Sequence, residues 1–276
     1  MDKLECFRSI SADVARGELA FSTGAGVALK VLRALDDPAC QLETAAKLVQ
    51  AEPLLAARVV AMANAAAYNR SGREITDVRT SVMRLGFRTV RTLATALVTR
   101  QLAGSSPSHQ DAAAQLWEHT AHVASLSHVI ARRFTRVDPE TAMFVGIIHE
   151  VGGFYLLSRL KDFPGLLDGG PGEWMEAGEA LVGRAVLKVL YVPEVVQNAI
   201  ETYWAGYLAI PPATFGDTLL LAKELAPVGS PLHPLGPEQG KDKSSGFDMV
   251  IGEDALASML AESAEEIESL TGALKF

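Results

Sequence analysis

Apolar residues recur at the spacing of an α-helix along almost the whole chain, and this pattern constrains the fold more than any other feature. Leu55, Val59 and Met62 lie four and three residues apart in one early segment. A longer segment, from Leu116 to Phe134, repeats the same spacing. No segment shows the strict alternation of apolar and polar residues that is typical of a half-buried strand. The sequence therefore predicts an all-α protein.

Interruptions of this helical pattern divide the chain into two parts. The clearest linker is the glycine, serine and proline segment at residues 104–108. We expect residues 1–108 to form a smaller packed helical portion and residues 109–276 to form a multi-helix bundle. Residues 227–248 are rich in glycine, proline, serine and lysine, which predicts a mobile surface loop. The apolar spacing from Leu256 onwards predicts an amphipathic C-terminal helix.

Composition and charge narrow the functional class. Hydrophobic residues make up 49% of the 276 residues, which is enough for a large core. The net charge of −8 is uneven, because residues 1–110 carry 14 basic and 10 acidic side chains whereas the remainder carries 11 and 23. An acidic chain of this kind is not expected to bind nucleic acid in general. We expect no signal peptide and no membrane span, and two ordinary thiols, which together predict a cytoplasmic location.

The segment FVGIIHEVGG, from Phe144 to Gly153, carries the most specific chemical signal. His149 and Glu150 stand side by side at the end of an apolar run. Two glycines follow shortly after them and are expected to interrupt the helix. An imidazole and a carboxylate are both metal ligands. No glycine-rich phosphate loop and no serine nucleophile elbow accompanies this pair.

The order and spacing of several segments resemble the HDOD family, the non-catalytic relatives of the HD metal-dependent phosphohydrolases. The similarity begins in VALKVLRALDDPACQLETAAKLVQAEPLLAARVVAMANAAAY at Val27–Tyr68 and continues in ITDVRTSVMRLGFRTVRTLATALV at Ile75–Val98. It extends through LWEHTAHVASLSHVIARRF and FVGIIHEVGGFYLL, so that it covers roughly residues 20–225. The resemblance implies a degenerate HD-like bundle in a bacterial, cytoplasmic signal-transduction module without its own catalysis.

Carried over by motif order, the metal positions of the HD enzymes fall on His119, His149, Glu150 and Lys223. The last of these replaces an aspartate, and an ammonium group has no lone pair with which to bind a cation. We therefore expect no metal, no other cofactor and no catalytic residue. His119 and His149 would then be buried, hydrogen-bonded core histidines. A sharper hypothesis places the Lys223 ammonium in the vacated cation position, paired with Glu150.

Three arginines form the candidate binding surface. Arg84, Arg88 and Arg91 recur four and three residues apart, so on a continuous helix they would share one face. This face could bind a phosphate-bearing ligand or the acidic surface of a partner. It could equally be the solvated side of an amphipathic helix. His122 and His128, by contrast, are expected to be surface or boundary residues rather than ligands.

Three functions remain open on the sequence. The first is a regulatory module that acts through a protein partner in a signalling pathway or through an anionic small ligand. The second is a residual metal-dependent phosphohydrolase acting on a nucleotide or phosphoester. The third is a nucleotide-sensing module that uses the old HD pocket without catalysis.

Overall fold

The computed structural model of the chain describes residues 2–16, 25–104, 109–233 and 253–275. Within these ranges it is entirely helical and contains no strand, which confirms the predicted fold class. Short π-helical turns at Ala131–Thr135 and Trp174–Gly178 lie next to two of the helices. The helices are α1 (Lys3–Ala15), α2 (Ala25–Leu35), α3 (Leu42–Gln50), α4 (Pro53–Asn64), α5 (Val78–Leu102), α6 (Gln110–Ile130), α7 (Pro139–Ile148), α8 (Val151–Arg159), α9 (Glu179–Val189), α10 (Glu194–Ala205), α11 (Phe215–Leu225), α12 (Glu253–Glu262) and α13 (Ala264–Leu274).

Side-chain caps fix the beginnings of the helices around the site. Asp138 accepts a hydrogen bond from the Thr141 backbone N–H, and Pro139 occupies the first turn of α7. At the start of α11, Thr214 and Asp217 form a reciprocal capping box. These caps satisfy N–H groups that a helix end otherwise leaves without a partner.

Helix α5 is interrupted at Gly86, whose φ of 75° and ψ of 164° are not helical. A positive φ of this size strains any residue other than glycine. The part of α5 after Gly86 is buried along much of its length, with Val90, Leu97 and Leu102 all inaccessible to solvent or nearly so. Helix α5 as a whole packs against α2, α3, α4, α7 and α8. It is therefore the central element of the core.

Helices α6, α7 and α8 bring the FVGIIHEVGG segment to the centre of the molecule. The helix break falls at His149 and Glu150, between α7 and α8, rather than at the two glycines as we expected from the sequence. Gly152 and Gly153 lie inside α8, where they allow close packing instead. A Cβ on Gly152 would lie 2.9 Å from the Gly183 backbone in α9. The two glycines thus allow α8 to pack closely, and the turn before them sets the positions of the His149 and Glu150 side chains.

The C-terminal helix crosses the boundary that we predicted between the two parts. Helix α13 packs against both α4 and α6. Its Ser269 hydroxyl accepts a hydrogen bond of 3.0 Å from the Ala66 backbone N–H, and the Trp117 indole donates to the Leu274 carbonyl at 3.1 Å. The buried apolar side chains of the described residues form one cluster that spans both parts. The division at residue 108 stays a prediction.

One segment has the length and apolar character that a membrane span requires. Residues Pro139–Arg159 have a mean hydropathy of 1.3 over an 18-residue window. In the structure 83% of that window is buried inside the protein, as in the core helices of folded domains. We therefore assign the segment to the core.

Candidate functional site

Two buried histidines from neighbouring helices form the centre of the site. His119 lies in α6 and His149 at the end of α7, and their ring centroids are 5.7 Å apart. The helices approach closely because Gly146 packs against Ala124, where an added Cβ would lie only 2.6 Å from the Ala124 Cα. A glycine at position 146 is therefore needed to bring the two imidazoles together.

Backbone carbonyl groups determine the orientation of both imidazoles. His119 Nδ1 lies 2.6 Å from the Val228 carbonyl oxygen, and His149 Nδ1 lies 2.7 Å from the Gly146 carbonyl oxygen. A carbonyl only accepts, so in each ring Nδ1 carries a proton, and in a neutral ring Nε2 then presents a lone pair. Burial lowers the pKa of His149 to about 4, which keeps that ring neutral at neutral pH. The expectation of buried, hydrogen-bonded histidines fits this arrangement.

The carboxylate of Glu150 lies between the two histidines and a third one. Its Oε2 atom is 3.8 Å from Nε2 of His119 and 3.8 Å from Nε2 of His149. Its Oε1 atom is 2.8 Å from His233 Nδ1, and His233 Nε2 is 2.8 Å from Oε2 of Glu179. Both ring nitrogens of His233 thus face carboxylate oxygens, so both donate and the ring is an imidazolium.

The pKa shifts of this group agree with its geometry. Burial opposes the charged form of His233, but hydrogen bonds to Glu150 and Glu179 outweigh it and raise the pKa to about 9. Burial likewise opposes ionisation of Glu150, yet the His233 hydrogen bond and the nearby histidines lower its pKa well below the usual value. His233 and Glu150 are therefore both charged at neutral pH.

Lys223 lies at the edge of the same site. Its Nζ donates a hydrogen bond of 2.9 Å to the Tyr203 hydroxyl and lies 4.7 Å from the centre of that ring. Tyr203 in turn packs edge-on against His149, with centroids 5.5 Å apart. Burial raises the pKa of Tyr203 well above its usual value, so the phenol stays protonated. The hydrogen-bonded cation at Glu150 is His233, and the pairing of Lys223 with Glu150 stays a hypothesis.

The donor atoms and the charges of the site give opposite answers for a metal ion. The candidate ligand atoms of His119, His149 and Glu150 lie within 4.8 Å of one another, and three protein ligands suffice for a catalytic zinc. However, the charges of Glu150, Glu179, His233 and Lys223 already sum to zero. A divalent ion would leave an uncompensated charge of +2 in a buried pocket, which is costly. These residues do not fit a resident divalent ion.

Sequence reasoning missed His233 and Glu179. His233 falls in residues 227–248, which we predicted to form a mobile loop, but within the described part of this segment Ser230 and Leu232 are buried. Residues 234–248 lie outside the described part of the chain. Leu232 contacts α8 at Gly153, where an added Cβ would lie 2.5 Å from the leucine Cδ1. The one available signal was a histidine following an apolar residue within a polar stretch.

The three arginines of the predicted binding surface do not share one helix face, because the backbone break at Gly86 separates Arg84 from the other two. Arg84 donates a hydrogen bond of 2.7 Å to the Asn69 side chain. Arg88 pairs with Asp138 at 2.6 Å, and Arg91 pairs with Asp36. Binding through these residues stays a prediction, and each guanidinium already has an intramolecular partner.

A second buried polar group surrounds His128, which we expected to be a surface or boundary residue. The ring lies 3.6 Å from a Glu140 oxygen and 3.9 Å from a Glu266 oxygen, and it is buried. Glu140 also accepts hydrogen bonds from the Tyr68 hydroxyl at 2.6 Å and from Thr89 at 2.8 Å. Because Glu266 belongs to α13, this group ties the C-terminal helix to the core.

Solved structures with the same architecture come from several bacteria. A candidate metal-dependent phosphohydrolase from Shewanella amazonensis SB2B matches with a TM-score of 0.68 at 19% identity, over 99% of each chain. An HDOD domain protein of unknown function from Geobacter sulfurreducens matches with a TM-score of 0.62 at 21% identity, over 98% of this chain and 97% of that one. At these identities the likeness shows the fold, an HD-like all-α architecture.

A third solved structure and a family profile complete the comparison. A candidate signal transduction protein from Marinobacter aquaeolei VT8 matches with a TM-score of 0.60 at 19% identity, over all of this chain and 67% of that one. No curated protein sequence matches the chain. The HDOD domain profile matches residues 22–167, which is more than half of the sequence and includes His119, His149 and Glu150. The chain therefore belongs to the HDOD domain family.

Proposed function

We propose that this protein is a non-catalytic regulatory module that acts by binding a protein partner in a bacterial, cytoplasmic signalling pathway. The observation that supports this proposal most directly is the closed and charge-balanced pocket. Membership of the HDOD family is in keeping with a regulatory role. The similarity to a candidate signal transduction protein points in the same direction.

The closure of the pocket argues against hydrolysis in this conformation. None of its six core side chains exposes more than 8% of its surface: His119, His149, Glu150, Glu179, Tyr203 and His233. A phosphoester must reach the nucleophile and the electrostatic groups that stabilise its transition state. Here the Oε1 atom of Glu150 already accepts a hydrogen bond from His233. The pocket is thus built as a core element rather than as an open cleft.

A direct assay tests the absence of catalysis. We expect the purified full-length chain, incubated with Mn²⁺ or Zn²⁺, to hydrolyse bis(p-nitrophenyl) phosphate no faster than the His149→Ala variant under the same conditions. The variant is the matched control because it removes one of the central imidazoles. Turnover by the wild-type chain that disappears in His149→Ala would contradict the proposal.

One observation favours a second candidate, a residual metal-dependent phosphohydrolase. His119 Nε2, His149 Nε2 and Glu150 Oε2 are buried acceptors that face one another and have no hydrogen-bond donor among the described residues. Buried acceptors are normally satisfied, so their convergence would suit a cation or a water molecule. The same assay decides between the two candidates, because this one requires turnover that depends on the added metal. A nucleotide-sensing role would instead show nucleotide binding without turnover.

A further inference from the structure

The pocket contains its own cation, supplied by a short segment that follows α11. We name residues 228–233 the strap. His233 lies between Glu150 and Glu179, with 2.8 Å from each ring nitrogen to a carboxylate oxygen. Carboxylates only accept hydrogen bonds, so this geometry requires both ring protons. The strap therefore carries a positive charge into a site that has metal ligands on its other side.

The strap is fastened to the pocket at two further points. The Val228 carbonyl accepts the hydrogen bond that orients His119, at 2.6 Å. Leu232 is buried and rests on α8 at Gly153, where an added Cβ would lie 2.5 Å from the leucine Cδ1. The Gly229 carbonyl also accepts a hydrogen bond of 3.2 Å from the Gln115 side chain. The strap thus orients His119, forms a hydrogen bond with Glu150 and covers both side chains.

We propose that His233 is the resident cation of this pocket, in place of a divalent metal ion, and that the strap determines whether the pocket can bind such an ion. The inference rests on the proposed regulatory function, since it concerns the same site. With His233 in place the four charged groups sum to zero, and a divalent ion is disfavoured. Without His233 their sum is −1, and one Glu150 oxygen loses its hydrogen-bond donor. The imidazolium and the metal ion therefore exclude each other.

The decisive variant is His233→Gln, which removes the charge but keeps a side chain able to donate a hydrogen bond. We expect the full-length variant to bind about one Zn²⁺ per chain, at least about tenfold more tightly than the wild type, because one buried positive charge is gone. Zinc suits a site of two imidazoles and a carboxylate. Isothermal titration calorimetry measures the affinity, and elemental analysis after dialysis measures the stoichiometry.

Three matched variants separate charge from disruption. His233→Lys keeps the positive charge, so it should bind zinc no more tightly than the wild type. Adding Glu179→Gln to His233→Gln returns the charge sum to zero and should reverse most of the gain. Adding His149→Ala removes a ligand and should abolish it. If His233→Gln does not fold, Leu232→Ala replaces it, because loosening the strap at Gly153 should also raise zinc affinity while all charged groups remain.

The result that would overturn the inference is equal zinc affinity in the wild type and in His233→Gln, or in Leu232→Ala where that variant replaces it, whether that affinity is high or low. This outcome differs from failure of the proposed function, which is phosphodiester turnover by the wild-type chain. Both quantities are measured on the same preparations. Turnover together with a change of affinity would therefore contradict only the proposed function, whereas equal affinities without turnover would contradict only the inference.

Discussion

Single residues in the pocket make the stability of the protein depend on pH in both directions. The pKa of His233 is raised from 6.5 to about 9 in the folded state, so its contribution is fully present below pH 6.5 and is lost as the pH rises towards 9. The pKa of His149 is lowered from 6.5 to about 4, so the folded state loses stability as the pH falls from 6.5 towards 4. The two histidines together place the stability maximum near pH 6.5.

We predict that replacing His233 by glutamine removes the alkaline side of this profile. In the wild type the free energy of unfolding should fall by up to about 3 kcal/mol between pH 6.5 and 9. This is the free energy that corresponds to the rise of the His233 pKa from 6.5 to about 9. In His233→Gln it should be nearly constant over that interval, at a lower value. Urea denaturation followed by circular dichroism at each pH measures both curves. Parallel curves would show that His233 is not the group responsible.

The arginines of α5 illustrate how one backbone break changes an inference about a whole element. A spacing of four and three residues defines a face only if the helix is continuous, and the positive φ of Gly86 interrupts it. Arg88 and Arg91 remain on one helix, where each is paired with an acidic side chain from another element. Exposed pairs of this kind contribute between about 0 and 1 kcal/mol to stability. These arginines can therefore be changed without a large effect on folding.

This low cost allows a clean test of the predicted binding surface. We expect the double variant Arg88→Gln and Arg91→Gln to keep the helical content and melting temperature of the wild type. If the surface binds a partner, a pull-down from cytosol at low salt should recover less of that partner with the double variant than with the wild type. Arg79→Gln is the matched control, because Arg79 forms an ion pair of similar exposure with Glu43 before the break. Equal recovery with all three proteins would place the interface elsewhere.

The strap shows which elements a sequence can predict and which it cannot. Helices such as α4 were predictable because Leu55, Val59 and Met62 repeat at helical spacing, and all three are buried. The pairing of His119 with His149 followed from motif order. Residues 228–233 have no period, so nothing in the sequence showed that His233 returns to a carboxylate 83 positions away. The contacts of an irregular segment depend on tertiary packing, and the spacing of apolar residues along the sequence does not predict them.

At the scale of the whole molecule, α13 connects the two predicted parts of the chain, because it packs against both α4 and α6. Its Leu270 and Leu274 side chains are buried in the same apolar cluster that includes Val59 of α4 and Val123 of α6. Lys275 adds an ion pair of 2.8 Å with Glu118. A core shared in this way favours unfolding as one unit, because neither part keeps its full apolar contacts when the other opens.

We predict that a single cavity under α13 destabilises the whole protein in one step. Leu270 is completely buried, so Leu270→Ala should lower the free energy of unfolding by about 2–5 kcal/mol, from lost burial and the cavity left behind. Leu54→Ala is the matched control, since Leu54 is 50% exposed on α4 and the same change there should cost less than about 0.5 kcal/mol. Differential scanning calorimetry should show one transition in the wild type and one, at lower temperature, in Leu270→Ala. Two separate transitions, with only the second sensitive to Leu270, would instead establish residues 1–108 as an independent folding unit.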